Sequence, residues 1–97
     1  SDFGRTLSSN GDGSDHGWGG FQFVMGGAVQ GKRFFGSAPL PGDNGPDDVG
    51  QGRMLPTMAV DQLASTLATW MGVSGTDLTT VVPGIGNYSV KDLGLFA

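Results

Sequence analysis

One stretch in the second half of the sequence repeats its apolar residues with the period of an α-helix. The spacing is three or four residues throughout, at Val60, Leu63, Ala64, Leu67, Ala68 and Met71. Apolar residues at this spacing form one face of a helix, and such a face has to be covered by a partner. The pattern predicts a helix over residues 59–71, with Thr57 as its N-cap, Asp61 in its first turn and Gly72 just after its end.

A second, shorter helix is predicted over about residues 77–82. Ser74 or Thr76 can cap it, because short hydroxyl side chains accept hydrogen bonds from the first N–H groups of a helix. Pro83 and Gly84 are expected to end it. The residues after it are predicted to form a turn or a short apolar strand.

Most of the remaining sequence is too rich in glycine and proline for long regular elements. Glycine makes up 19 of the 97 residues, against an average of about 7%. Residues 37–56 hold four of the five prolines and predict a long loop. Residues 21–36 are aromatic and β-branched, and predict two extended segments, Phe21–Met25 and Lys32–Phe35, with a Gly-Gly kink between them. The predicted fold class is α+β, with a few short strands, one firm helix, one short helix and long glycine-rich loops.

Length and charge exclude several classes of protein. A chain of 97 residues is long enough for one small domain, and we expect residues 1–97 to form a single unit. The net charge is −4 and the five basic residues form no patch, so we expect no nucleic-acid partner. No apolar run approaches 18 residues, so we expect no membrane span. There is no cysteine, which excludes disulfides and thiolate chemistry.

The segment Gly26–Lys32 has the spacing of a phosphate-binding loop, G-x-x-x-x-G-K. That loop requires a Ser or Thr directly after the lysine and a helix that begins there. Arg33 and Phe34 follow instead, so a nucleotide-binding fragment is the weakest of the interpretations we consider.

The single histidine lies in the glycine-rich segment NGDGSDHGWGG, residues 10–20. A zinc site takes three or four nitrogen, sulfur or oxygen ligands, and the neighbouring pair Asp15 and His16 supplies at most two. Flanking glycines allow the backbone to approach an ion closely, and Trp18 can either pack over such a site or anchor the loop. The residues alone therefore leave two possibilities open, a metal ligand or a structural histidine in a polar turn.

Several motifs, in order, resemble the C-terminal part of a large bacterial protein family. They are SDFGRT, DHGWGG, FQFVMGGAVQGK, GRMLPTMAVDQLASTLATWMGVSGTDL and PGIGNYSVKDLGLF, and together they cover essentially the whole chain. Members of that family are exported proteins of unknown function, usually with a twin-arginine signal. They are described as sulfatase-like and related to the alkaline phosphatase superfamily.

The resemblance implies a parent protein with an α/β, alkaline-phosphatase-like fold and a site for divalent metal ions, zinc, calcium or magnesium. By position in the motifs, Asp2 would be an acidic ligand and His16 the downstream ligand. Asp15 would be a ligand or would support one. Arg5 would bind the anionic group of a phosphate or sulfate ester, since a guanidinium donates two parallel hydrogen bonds to such oxygens. The family more often has Glu where this sequence has Asp2.

The resemblance places the nucleophile and most metal ligands of such an enzyme outside this sequence. We therefore expect no catalytic residue in the chain and no hydrolase activity from it alone. A part of a larger α/β fold would have an unpaired sheet edge and uncovered apolar surface. We therefore also expect a homo-oligomer. The alternative is a binding or structural module without chemistry, in which Asp15 and His16 only shape a turn. The parent family implies an exported or periplasmic location.

Overall fold

The structure of the chain is a computed structural model that describes residues 3–97. Its residues pack into two compact units. The first unit combines the residues up to Phe23 with Gly36–Thr57, and the second combines Val24–Phe35 with Met58–Ala97. The mixture of helix and strand confirms an α+β composition, whereas the single unit over residues 1–97 stays a prediction.

A short antiparallel hairpin organises the first unit. Strand β1, Arg5–Ser9, pairs with strand β2, Ser14–His16, and the register has an irregularity between its two ends. The connection turns tightly because Gly11 and Gly13 adopt φ angles of 96° and 147°, where a side chain is strained. Sequence patterns did not predict these strands, because their residues are nearly all polar.

The long loop of the first unit packs its backbone against the hairpin. The N–H of Leu7 donates to the Gly52 carbonyl oxygen at 3.1 Å, on the edge of β1 away from β2. The two ends of the loop are tied by Thr57, whose Oγ1 donates to the Ser37 carbonyl oxygen at 2.6 Å. Thr57 is therefore not the N-cap of the following helix, and the cap residue is Ala59.

Asp48 holds the middle of this loop together. Its carboxylate accepts the backbone N–H groups of Asn44 and Gly50, each at 2.7 Å. These donors, that of Asn44 first, hold the pKa of the Asp48 carboxyl below its ordinary value of 3.8, because they stabilise the charged form. The loop thus has an internal anchor although it contains no helix or strand, as predicted.

The second unit contains the helices. Helix α1 spans Val60–Trp70, which confirms the main sequence prediction to within one residue at each end. Gly72 ends it with φ 100°, and its N–H donates to the Thr69 carbonyl oxygen while that of Val73 donates to Ala68. This is the Schellman arrangement that a glycine after a helix favours.

Helix α2, Leu78–Val81, is one residue shorter at each end than predicted, and Asp77 is its cap residue rather than Ser74 or Thr76. α2 ends before Pro83, as predicted, and Pro83 begins a separate 3₁₀ helix, Pro83–Asn87. Leu78, Val82 and Ile85 form the buried cluster, and Ala64 and Ala68 of α1 pack against it with Val73 and Tyr88. The core of this unit is therefore small.

Only part of the predicted apolar face of α1 is covered. Ala64 and Ala68 meet the core, but Val60 and Met71 are 76% and 75% exposed. The fully buried residues of the helix are instead Ser65 and Thr66. Their hydroxyl groups bond to the C-terminal segment: Ser65 Oγ donates to the Lys91 carbonyl oxygen at 2.6 Å, and Thr66 Oγ1 accepts the Leu93 N–H at 2.9 Å.

The two predicted extended segments, Phe21–Met25 and Lys32–Phe35, do not form strands. The only bridge that the described residues make near them joins Val29 to Phe96. Aromatic composition favours a strand only where a neighbouring strand can pair with it, and none lies alongside these segments. None of the helices in residues 3–97 is long and apolar enough to cross a membrane.

Candidate functional site

The hairpin places Arg5 and His16 directly opposite each other on neighbouring strands. Side chains at opposed positions of an antiparallel pair lie on the same face, within a few ångströms of each other at Cβ. Both residues are exposed. One face of the hairpin thus presents a group that binds anions beside a group that binds metal ions.

Each of these two side chains also has a local partner. The His16 ring packs against the ring of Phe3 with centroids 4.2 Å apart and planes tilted by 34°. Arg5 Nη1 donates to the Ser14 carbonyl oxygen at 2.7 Å. The guanidinium is therefore held by a contact within the hairpin, and the imidazole by a residue just before it.

Asp15 lies on the other face. Successive residues of a strand point to opposite sides, so the Asp15 carboxylate and the His16 ring diverge. Asp15 Oδ1 accepts the side-chain amide of Asn10 at 2.8 Å, and the Asp15 N–H donates to Thr6 Oγ1 at 3.1 Å. The sequence neighbours Asp15 and His16 are thus poorly arranged to bind one ion together from the same side.

A complete metal site is not formed by the described residues. Asp2, the other predicted ligand, lies outside residues 3–97. Within that range no group of three or more His, Cys, Asp or Glu side chains is placed to hold an ion. Catalytic zinc needs three protein ligands and structural zinc needs four. The described residues therefore do not fit a metal by themselves, and the role of His16 as a ligand stays a prediction.

The glycines around His16 have a packing role that the sequence did not reveal. Gly17 is buried, and its N–H donates to the Gly4 carbonyl oxygen at 2.7 Å. A Cβ on Gly4 would collide with the carbonyl oxygen of Gly19. Two backbone segments meet here with no room for a side chain at Gly4, which accounts for that glycine in structural terms.

Trp18 is more than half exposed, and the guanidinium of Arg53 lies 5.8 Å from its ring centroid. This is within the range of a cation–π contact between the segment after the hairpin and the long loop. Trp18 thus anchors the segment to the loop rather than to an apolar core.

No family model matches this chain, and no curated protein or solved structure is detectably similar to it. The resemblance to exported, sulfatase-like proteins, described above from the motifs, stays a prediction.

The segment Gly26–Lys32 lacks the context of a phosphate-binding loop. No helix begins directly after Lys32, and the next helix among residues 3–97 is α1, which begins at Val60. Arg33 Nη1 donates to Gln30 Oε1 at 2.7 Å, and the guanidinium packs 4.8 Å from the Phe35 ring centroid. The basic residue after the lysine is thus engaged within its own loop.

Sequence reasoning missed two residues that shape the candidate site. Asn10 holds the Asp15 carboxylate, and Phe3 packs on His16. The Asn10-Gly11 pair was the available signal, because Asn-Gly is the strongest short indicator of a hairpin turn. Nothing in the sequence indicated the role of Phe3.

Proposed function

We propose that this chain is the C-terminal part of a metal-dependent hydrolase of phosphate or sulfate esters, related to the alkaline phosphatase superfamily. In this proposal His16 gives one imidazole ligand to a divalent ion and Arg5 binds the anionic group of the ester. The observation that carries it is the register of the hairpin, which sets Arg5 opposite His16 on an exposed face. Asp2 and Asp15 are the acidic residues that the motifs add to this site.

A metal ion in such an enzyme activates a nucleophile and stabilises the developing charge on oxygen. This chain's own residues would hold one side of the ion and orient the anion. Arg5 suits that task because its guanidinium is already positioned by Ser14 and has five N–H donors in a rigid fork. No nucleophile is assigned within the chain, so we expect no turnover from it alone.

A structural module without chemistry is the second candidate, and specific contacts favour it. The Phe3 ring on His16 and the Asn10 amide on Asp15 give both site residues a structural role in the hairpin. In that case Arg5 only tethers the hairpin backbone. The two candidates differ in what the His16 imidazole does when a divalent ion is added.

We expect zinc to bind the purified full chain through His16. Zn²⁺ titrations followed by NMR of the imidazole protons and by calorimetry measure the affinity. In His16→Ala the zinc affinity should fall by about tenfold or more, as is typical when a group around a metal site is removed. Asp12→Ala removes an exposed carboxylate from the same hairpin and is the matched control, with unchanged affinity. Phosphate- and sulfate-ester assays on the same zinc-loaded samples should show no turnover.

Equal zinc affinity in the wild-type chain and in His16→Ala would overturn the role of His16 as a ligand in this chain and favour the structural module. Asp15→Asn is expected to have a smaller effect than His16→Ala, because its side chain points away from the imidazole. The reverse order would show that strand alternation does not govern the site. Metal-dependent turnover well above background would overturn the expectation that the chain is inactive alone.

We also infer that the chain self-associates through the uncovered stripe of α1. Val60, Leu67 and Met71 lie at positions i, i+7 and i+11, which share one face of a helix, and all three are exposed. A second copy of the chain can cover this stripe. Leu67→Lys should therefore shift the mass measured by light scattering towards the monomer.

Thr69→Lys is the matched control for that experiment. Thr69 is also exposed on α1 but lies on the opposite side from Val60, and the substitution changes the net charge equally. Self-association should therefore persist in Thr69→Lys. A wild-type chain that stays monomeric at high concentration, or equal effects of the two lysines, would contradict the inference.

A further inference from the structure

The turn of the hairpin contains an asparagine followed by a glycine, Asn10-Gly11. Both residues are exposed, and the position of a Cβ on Gly11 has no atom within 4 Å. A residue after asparagine normally shields its backbone nitrogen with its side chain, but glycine does not. The nitrogen of Gly11 is therefore sterically accessible to the side-chain carbonyl carbon of Asn10.

Two hydrogen bonds activate the Asn10 side-chain carbonyl as the electrophile and the Gly11 nitrogen as the nucleophile. The Asp12 N–H donates to Asn10 Oδ1 at 3.0 Å, which polarises the side-chain carbonyl and would stabilise negative charge that develops on that oxygen. The Gly11 N–H donates to Ser9 Oγ at 3.0 Å, so an acceptor is already placed for the proton that this nitrogen has to lose. The electrophile and the nucleophile belong to adjacent residues of one turn, and both hydrogen bonds are formed in the folded hairpin.

From this geometry we propose that Asn10 is a site of spontaneous deamidation, accelerated by the folded hairpin. The Gly11 nitrogen forms a bond to the Asn10 Cγ, its proton passes by way of Ser9 Oγ and water to the side-chain amide nitrogen, and the bond from Cγ to that nitrogen breaks to release ammonia. Water then adds to either carbonyl of the five-membered imide and opens the ring. The products are aspartate or isoaspartate at position 10, and no oxidant or reductant is involved.

The modification acts on Asp15. Asn10 Nδ2 now donates to Asp15 Oδ1 at 2.8 Å, and deamidation replaces this donor by a carboxylate. In the aspartate product two like charges then face each other, and their repulsion pushes the side chains apart. The net charge falls from −4 to −5. The hairpin thereby acquires a more acidic turn with time, whether or not His16 binds a metal.

A second Asn-Gly pair, Asn44-Gly45, provides an internal reference. The Gly45 N–H donates to the Gly42 carbonyl oxygen at 3.3 Å, and among residues 3–97 no hydrogen bond reaches the Asn44 side-chain amide. This pair therefore lacks the polarised carbonyl and the hydroxyl acceptor of the first. Trypsin separates the two sites, because cleavage after Arg5, Lys32, Arg33 and Arg53 leaves them in different peptides.

The test is peptide mapping by mass spectrometry during incubation of the full chain at neutral pH, in buffer and in concentrated urea. In buffer Asn10 should convert on the order of tenfold faster than Asn44, a modest factor for a positioned proton acceptor because a hydroxyl is a weak base. In urea the two rates should become similar, since both sites are then simple Asn-Gly pairs. An Asn10 rate equal to or below that of Asn44 in buffer would overturn the proposal.

Two serine variants distinguish the role of the Ser9 hydroxyl as acceptor from the general effect of a serine substitution in the hairpin. Ser9→Ala removes the acceptor of the Gly11 N–H and should bring the Asn10 rate down towards that of Asn44. Ser8→Ala removes a hydroxyl that donates to Asp43 Oδ1 instead, and should leave the Asn10 rate unchanged. An unchanged rate in Ser9→Ala, with far-UV circular dichroism like that of the wild type, would contradict the assigned role of Ser9. Because the readout is the mass of one peptide, neither result depends on metal binding.

Discussion

Replacement of Ile85 by alanine is expected to destabilise the helical unit by about 2–5 kcal/mol. Ile85 is 0% exposed and lies in the 3₁₀ helix, where it packs with Leu78 and Val82. The substitution removes buried methyl groups and leaves a cavity that a cluster of three buried residues has few neighbours to fill. Urea unfolding followed by far-UV circular dichroism, which reports mainly on α1, measures the loss.

Val81→Ala is the matched control for the core substitution. Val81 belongs to α2 and is close to Ile85 in sequence, but its side chain is 56% exposed. Surface changes of this kind usually alter the free energy of unfolding by less than about 0.5 kcal/mol. Equal shifts of the urea midpoint in the two variants would show that Ile85 is not the centre of this core.

Helix α1 could be predicted because its signals are local. Eleven residues with a regular apolar spacing and a glycine just after the last turn determine its limits, and both signals are read within the segment itself. The exposure of its residues could not be predicted. Ser65 and Thr66 are buried because Lys91 and Leu93 supply backbone partners, and those partners come from a distant part of the sequence.

The strands show the opposite case. β1 and β2 contain mainly polar residues, so neither has the apolar alternation from which a strand is usually predicted. Their pairing depends on the turn at Asn10-Gly11 and on the long loop that bonds to the other edge of β1. The aromatic segment Phe21–Met25 has a high strand propensity and no strand beside it, so its propensity is not realised.

The candidate site could be predicted as a list of residues but not as an arrangement. The motifs indicated Arg5 and His16, eleven positions apart, and only the hairpin register shows that they share a face. The motifs also indicated Asp15, beside His16, as a ligand or as a residue that supports one. Strand geometry separates them, since the side-chain period of a strand is two residues.

The second large effect is expected at Gly52, where Gly52→Ala should destabilise the first unit by about 2–5 kcal/mol. Gly52 is buried with φ 69°, and a Cβ there would lie 2.5 Å from Leu7 Cβ and 2.9 Å from the Leu7 nitrogen. Because backbone and Cβ atoms of β1 cannot swing aside, the loop has to withdraw. Withdrawal breaks the hydrogen bond from the Leu7 N–H to the Gly52 carbonyl oxygen.

Gly94→Ala separates the steric effect from the backbone conformation. Gly94 has φ 68°, almost the same as Gly52, but a Cβ there would have no atom within 4 Å. Gly94→Ala should therefore lower the free energy of unfolding only by the strain of alanine in the left-handed conformation, about 1–2 kcal/mol. Amide hydrogen exchange at Leu7 is the decisive readout, since only Gly52→Ala should remove the protection of that N–H. Unchanged protection at Leu7 in Gly52→Ala would mean that the loop does not depend on close contact between Gly52 and β1.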